Sequence, residues 1–106
     1  MNKASLKDMV GGWFIGPFSP SVMQSDNFEV AIKHYAKGAK EKRHLHKVAT
    51  EITVIVSGKV EMSGDIYETD DIISIAPGEA TDFTALEDTI TVVVKTPSIG
   101  NDKYTE

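Results

Sequence analysis

From Phe28 onward the chain is a succession of short β-type runs, each closed by turn residues. FEVAIKHY sets Phe28, Val30, Ile32 and His34 on one side and Glu29, Ala31, Lys33 and Tyr35 on the other, the alternation of an extended strand. EITVIVSG is β-branched and apolar and ends at Gly58; GKVEMSG points Val60 and Met62 inward and turns at Ser63–Gly64. IISIAPG stops at Pro77–Gly78, and TITVVVK (residues 89–95) is apolar enough to expect burial on both faces. Short strands at a spacing of roughly 8–12 residues indicate an all-β sandwich or barrel. The one helical expectation is a turn around Ala4–Val10. Between Gly11 and Ser21 the chain is rich in Gly, Pro and Ser and carries Trp13, Phe14 and Phe18. Such an arm either folds back over its own domain or packs on a partner.

The 106 residues suit one domain over 1–106, with a barrel core about 27–96 and an N-terminal arm 1–26. A chain of this size buries roughly two thirds of its unfolded surface, enough for one core without disulfides. It has no cysteine, which excludes thiol catalysis, Fe–S clusters and thiolate-ligated zinc. The net charge of −5 argues against a nucleic-acid partner. No stretch approaches the roughly 20 apolar residues of a membrane helix, and the N-terminus lacks the apolar run of a secretory signal. A cytoplasmic domain without membrane contact is expected.

Chemistry concentrates in GAKEKRHLHKVATEITVIVSG, Gly38 to Gly58. His44 and His46 alternate on one strand face, and a bend through Lys47–Thr50 returns Glu51 beside them. Two imidazoles and a carboxylate suit a divalent first-row metal (Fe, Zn, Mn, Ni or Cu), and the facial arrangement is typical of non-heme iron. Thr53 follows Glu51 on the same face and is placed to hydrogen-bond it. Lys40, Glu41, Lys42, Arg43 and Lys47 form a mostly basic patch around the histidines. It reads as a solvated loop, or alternatively as a rim that attracts an anionic ligand.

The same segment, written G-x5-H-x-H-x4-E-x6-G, resembles the first sequence motif of the cupin superfamily at every specified position. DDIISIAPGEATDF resembles the second motif, with Asp71, Pro77, Gly78 and Phe83 matching. The resemblance covers about Phe28 to Lys95. It implies a double-stranded β-helix, the cupin jelly-roll barrel, with a small-molecule ligand site inside and pairing into a homodimer through sheet edges.

The resemblance also carries over metal ligands: His44, His46 and Glu51. Its remaining metal histidine falls on Thr81, a weak neutral donor. Asp82 is a better donor but has the wrong parity in a regular strand, unless a bulge at Pro77–Ala80 re-aims it; water is the third alternative. Tyr35 and Asp82 are the side chains that could supply a proton-transfer group, and Met62 and Phe83 would form apolar walls. His34, on the apolar side of its strand, reads as a core or edge residue. Two functions follow. One is a metal-dependent enzyme of isomerase, epimerase or dioxygenase type acting on a small polar metabolite. The other is a non-catalytic sensor module for a small sugar-like or anionic ligand, with a degraded metal site.

Overall fold

A computed structural model describes residues 1–105. Ten strands form two five-stranded sheets. One sheet has the order β1 (Trp13–Ile15), β2 (Glu29–Tyr35), β9 (Thr89–Thr96), β4 (Thr50–Ser57), β7 (Ile72–Ile75). The other runs β10 (Lys103–Thr105), β3 (Lys40–His46), β8 (Thr81–Ala85), β5 (Lys59–Met62), β6 (Asp65–Glu68). Every strand pairing is antiparallel, and chain-adjacent strands repeatedly cross from one sheet to the other. The result is the jelly roll that the cupin resemblance implied.

The apolar faces of the two sheets meet at one end of the barrel. Ile55, Val60, Met62, Ile75, Phe83 and Ala85 are buried there, with Tyr35, Ala39, Tyr67 and Ile73 against them. Phe83 and Tyr35 pack ring to ring at 4.5 Å between centroids. This plug leaves the other end of the barrel open as a cavity of about 470 Å³.

The strands with alternating or apolar sequence formed as expected, and the strand expected at His44 and His46 begins earlier, at Lys40. KEKRHLH is charged along most of its length, and its basic residues read as a solvated loop beside the histidines. Its backbone nevertheless pairs on both sides, with β8 and with β10. Strand β9 also differs from expectation. Thr89, Thr91 and Val93 are buried, but Ile90, Val92 and Val94 on the other face are only half-buried.

On the neighbouring β2, the outer face at Ile32 is covered by the arm. Two short 3-10 turns, Leu6–Asp8 and Val10–Gly12, precede β1, which pairs with β2. Phe14 lies in a groove with Leu6, Met9, Val22 and Ile32. Gly12 makes this docking possible: its φ is +81°, and a Cβ there would run into the carbonyl oxygen of Ile32. Of the two fates expected for the aromatic arm, folding back on its own domain is the one observed.

Candidate metal centre

Strand β3 carries a bulge. Glu41 stands opposite Phe83 and His44 opposite Thr81, so Lys42 and Arg43 together face the single residue Asp82. The extra residue reverses the side-chain parity at this point. Glu41, His44 and His46 therefore all face the cavity, although alternation alone would turn Glu41 away from the histidines. Lys40, Lys42 and Arg43 are exposed and do not line the cavity, which agrees with the solvated reading of this patch rather than with the alternative of an anion-attracting rim.

After His46 the chain bends and crosses to the other sheet. Asp102 fixes the bend. Its carboxylate accepts the backbone N–H groups of Lys47 (3.0 Å), Val48 (3.2 Å) and Ala49 (3.0 Å). Strand β4 then starts at Thr50 and delivers Glu51 into the cavity opposite the histidines.

Glu51 Oε1 lies 3.6 Å from His46 Nε2, and Glu51 Oε2 accepts the Thr53 hydroxyl at 3.1 Å. Burial by itself would raise the Glu51 carboxyl. The His46 hydrogen bond and charge, with lesser help from Thr53 and Lys95, reverse this and hold it below the ordinary carboxylate range. The His44 ring meets that of His46 edge to face, at 5.5 Å between centroids. His44 Nδ1 lies 2.8 Å from the Lys42 carbonyl oxygen. A carbonyl only accepts, so Nδ1 carries a proton, and in the neutral ring Nε2 then has the lone pair. This is the outer contact that metal-binding histidines commonly make.

The donor set fits a divalent transition ion in kind: two imidazoles and an ionised carboxylate in one cavity, with outer hydrogen bonds on His44 and Glu51. Among the described residues, however, no three His, Asp or Glu side chains converge closely enough to enclose an ion in this conformation. His46 and Glu51 are already adjacent, so convergence depends on the aim of the His44 ring rather than on strand placement.

The remaining sequence candidates have distinct fates. Thr81 lines the cavity across from His44, but its hydroxyl accepts from Ser63 Oγ (3.0 Å) and donates to the Asp82 carbonyl (2.8 Å). Asp82 is exposed at the rim, where its carboxylate accepts the Ser63 N–H at 2.8 Å. The bulge in this pairing lies on β3, not at Pro77–Ala80 where it would have re-aimed Asp82. Tyr35 lies inside, donating its hydroxyl to Glu41 Oε1 at 3.0 Å. Burial first, then the charge and hydrogen bond of Glu41, push its phenol far above the usual tyrosine range, so it remains protonated and unsuited to act as a base. His34 is exposed on the outer face beside the 3-10 turns, outside the cavity.

Several further residues line the cavity. Glu29 and Lys33 face inward from β2, Lys95 from β9 and Lys103 from β10, while Trp13 and Phe18 of the arm form an aromatic wall. Part of this was legible: Glu29, Lys33 and Tyr35 share one side of the FEVAIKHY alternation. What hid it was the assumption that the more apolar side of a strand faces the barrel. In β2 that side is covered from outside by the arm.

A two-sheet jelly roll with a ligand-sized cavity at one end, lined by the two histidines and the glutamate, defines a small cupin-fold domain. Comparison of structures agrees. An uncharacterized conserved protein with a double-stranded β-helix domain from Klebsiella pneumoniae superposes with a TM-score of 0.73 at 19% identity, covering 98% of this chain and 90% of that one. A cupin-2 domain protein from Shewanella frigidimarina gives 0.61 at 10% identity, over 68% and 72% of the two chains. Oxalate decarboxylase from Bacillus subtilis, a protein with Mn(II) centres, gives 0.67 at 19% identity; 76% of this chain matches 24% of that larger one. No protein-family model and no curated protein matches the sequence.

Proposed function

We propose that this domain binds a divalent transition metal through His44, His46 and Glu51 and acts on a small polar organic molecule inside the barrel. The observation that carries this reading is the placement of all three donors in one cavity, with His46 and Glu51 only 3.6 Å apart. The presence of Mn(II) centres in a protein of the same fold supports it.

The ion would supply Lewis acidity toward a substrate carbonyl, or O2 activation if it is iron. The chain's own residues do the rest. Thr53 orients Glu51. Glu41 faces the cavity, held by the Tyr35 hydroxyl, and is the group placed to take and return a proton. That favours isomerase or epimerase chemistry over the dioxygenase type. Trp13 and Phe18 cover the cavity and limit water.

The alternative, a non-catalytic binding module, is favoured by the unconverged donors and by the occupied hydroxyl of Thr81. Metal titration followed by elemental analysis tests the proposal. One bound ion per chain, lost in H44A/H46A, supports it; no bound ion from Fe(II), Mn(II) or Zn(II) overturns it. A cytoplasmic homodimer belongs to the same proposal. Exposed Ile66 and Ile72 lie on the outermost strands β6 and β7, where pairing would cover them. A monomer by light scattering at micromolar concentration would remove that part.

A further inference from the structure

We propose that the cavity recognises the carboxylate of a small organic acid between Lys33 and Lys103, with Trp13 and Phe18 against its apolar part. The inference rests on the cavity being the ligand site, but not on the identity of the ion.

Three lysines line the cavity, and they are not equivalent. Lys95 is paired with Glu29 at 3.4 Å. Neither Lys33 nor Lys103 has a carboxylate within ion-pair distance among the described residues. Lys33 is half-buried, and its ammonium lies 5.2 Å from the centroid of the Trp13 ring. The Lys95 ammonium lies 4.8 Å from the same ring, so two cations flank one indole. Burial, reinforced by Lys103 and Lys95 and opposed by Glu41 and Glu51, lowers the Lys33 pKa. An ammonium in that condition gains from an anionic guest.

Thr91 stands directly across from Lys33 on β9 and lines the same wall. It is 1% exposed, and its hydroxyl has no hydrogen-bond partner among the described residues. Lys103 stands across from His46 on β10, which places the second cation on the metal side of the cavity. A ligand that reaches between Lys33 and Lys103 thus passes the candidate metal ligands. The carboxylates of Glu29, Glu41, Glu51 and Asp82 also line the cavity and outnumber the lysines by one. Glu29 is bound to Lys95 and Asp82 to Ser63, however, and a divalent ion would turn the balance positive. The aromatic wall argues for an acid with an apolar body rather than for an inorganic anion.

Trp13 is the only tryptophan, so its fluorescence reports on this wall directly. The test is a fluorescence titration of the full chain with cyclohexanecarboxylate, its neutral carboxamide and inorganic phosphate, with and without Mn(II). The acid is expected to bind at least about tenfold more tightly than the amide, since a desolvated ion pair outweighs a neutral contact. K33Q should remove that preference, and K103Q, at an exposed position, should reduce it several-fold. Amide binding equal to acid, phosphate binding equal to acid, or unchanged preference in K103Q overturns the inference. Acid preference in a protein that takes up no metal leaves this inference standing and removes the metal reading alone. Metal binding without acid preference does the reverse.

Discussion

Glu41 and His44 face the same cavity although an odd number of positions separates them on one strand. The bulge at Lys42–Arg43 makes this possible, and it has two consequences. It adds a carboxylate to the histidine side of the cavity, and its Lys42 carbonyl takes the His44 Nδ1–H. One irregularity of the backbone thus supplies both a proton-transfer candidate and the tautomer needed for metal binding. Removing Arg43 or Lys42 by single-residue deletion would restore regular alternation and turn Glu41 outward. The expected result is loss of any proton-transfer activity, with His44 and His46 still facing inward if the register at His44–Thr81 holds. A structure of the deletion variant checks the orientation directly.

Thr53→Val should weaken metal binding without unfolding the barrel. The substitution keeps shape and β-branching but removes the hydroxyl that donates to Glu51 Oε2. Loss of such outer contacts typically costs about 10–100-fold in metal affinity. Competition with a metal-sensing dye measures it, and an affinity within about twofold of wild type would show that Thr53 does not orient Glu51.

Tyr35→Phe should leave the ultraviolet phenolate titration unchanged at moderately alkaline pH. The folded Tyr35 phenol is raised by burial and by its bond to Glu41, so it contributes no phenolate while the barrel stands. The difference between wild-type and variant absorbance near 295 nm is expected to stay flat until alkaline unfolding. If the proposed proton transfer by Glu41 is correct, the variant's pH–rate profile should shift as well, because Glu41 loses its donor.

The apolar strands and the His44, His46 and Glu51 constellation were legible because they rest on local rules: alternation, β-branching and fixed spacing. The bend expected through Lys47–Thr50 was readable too, and it falls at Lys47 and Val48, ahead of β4. The extension of β3 back to Lys40 and its bulge were not, because its pairing is imposed by β8 and β10 from distant parts of the sequence, overriding the solvated-loop reading of the basic residues. Lys33, Lys95 and Lys103 come from three separate strands, and nothing in their sequence spacing announces that they meet. Which side of β2 faces inward was likewise settled by the arm. Its aromatics are shared between the cavity wall and the outer groove.

Gly58→Ala should destabilise the fold by at least about 2 kcal/mol. Gly58 has φ of +111°, and a Cβ there would stand 2.6 Å from the Asp88 carbonyl oxygen and 2.8 Å from Thr89 Cα. Both neighbours are backbone at the start of β9, a central strand, and cannot yield cheaply. This gives a physical reason for the second glycine of the histidine-bearing segment. Urea denaturation with an unchanged m-value and a lower midpoint is the expected reading.

Asp102 should make the barrel sensitive to acid. Burial tends to raise its carboxyl, but the N–H groups of Ala49, Val48 and Lys47, with the nearby His46 charge, bring it below the ordinary range. A carboxyl whose folded pKa is lowered contributes stability that is fully present above its unfolded value near 3.9 and is lost as pH falls through the folded value. The wild type should therefore lose stability below about pH 4 through this group, and Asp102→Asn should lack that component of the decline. At neutral pH, Asp102→Ala leaves three N–H groups without their acceptor and should cost about 2–4 kcal/mol. Because those groups form the bend between His46 and Glu51, the same variant should also weaken metal binding. Asp102→Asn keeps one acceptor oxygen but sets an NH2 against the N–H that the other accepted, so its metal affinity should fall between those of wild type and Asp102→Ala. Denaturant titrations at several pH values, run beside metal titrations at pH 7, measure both effects.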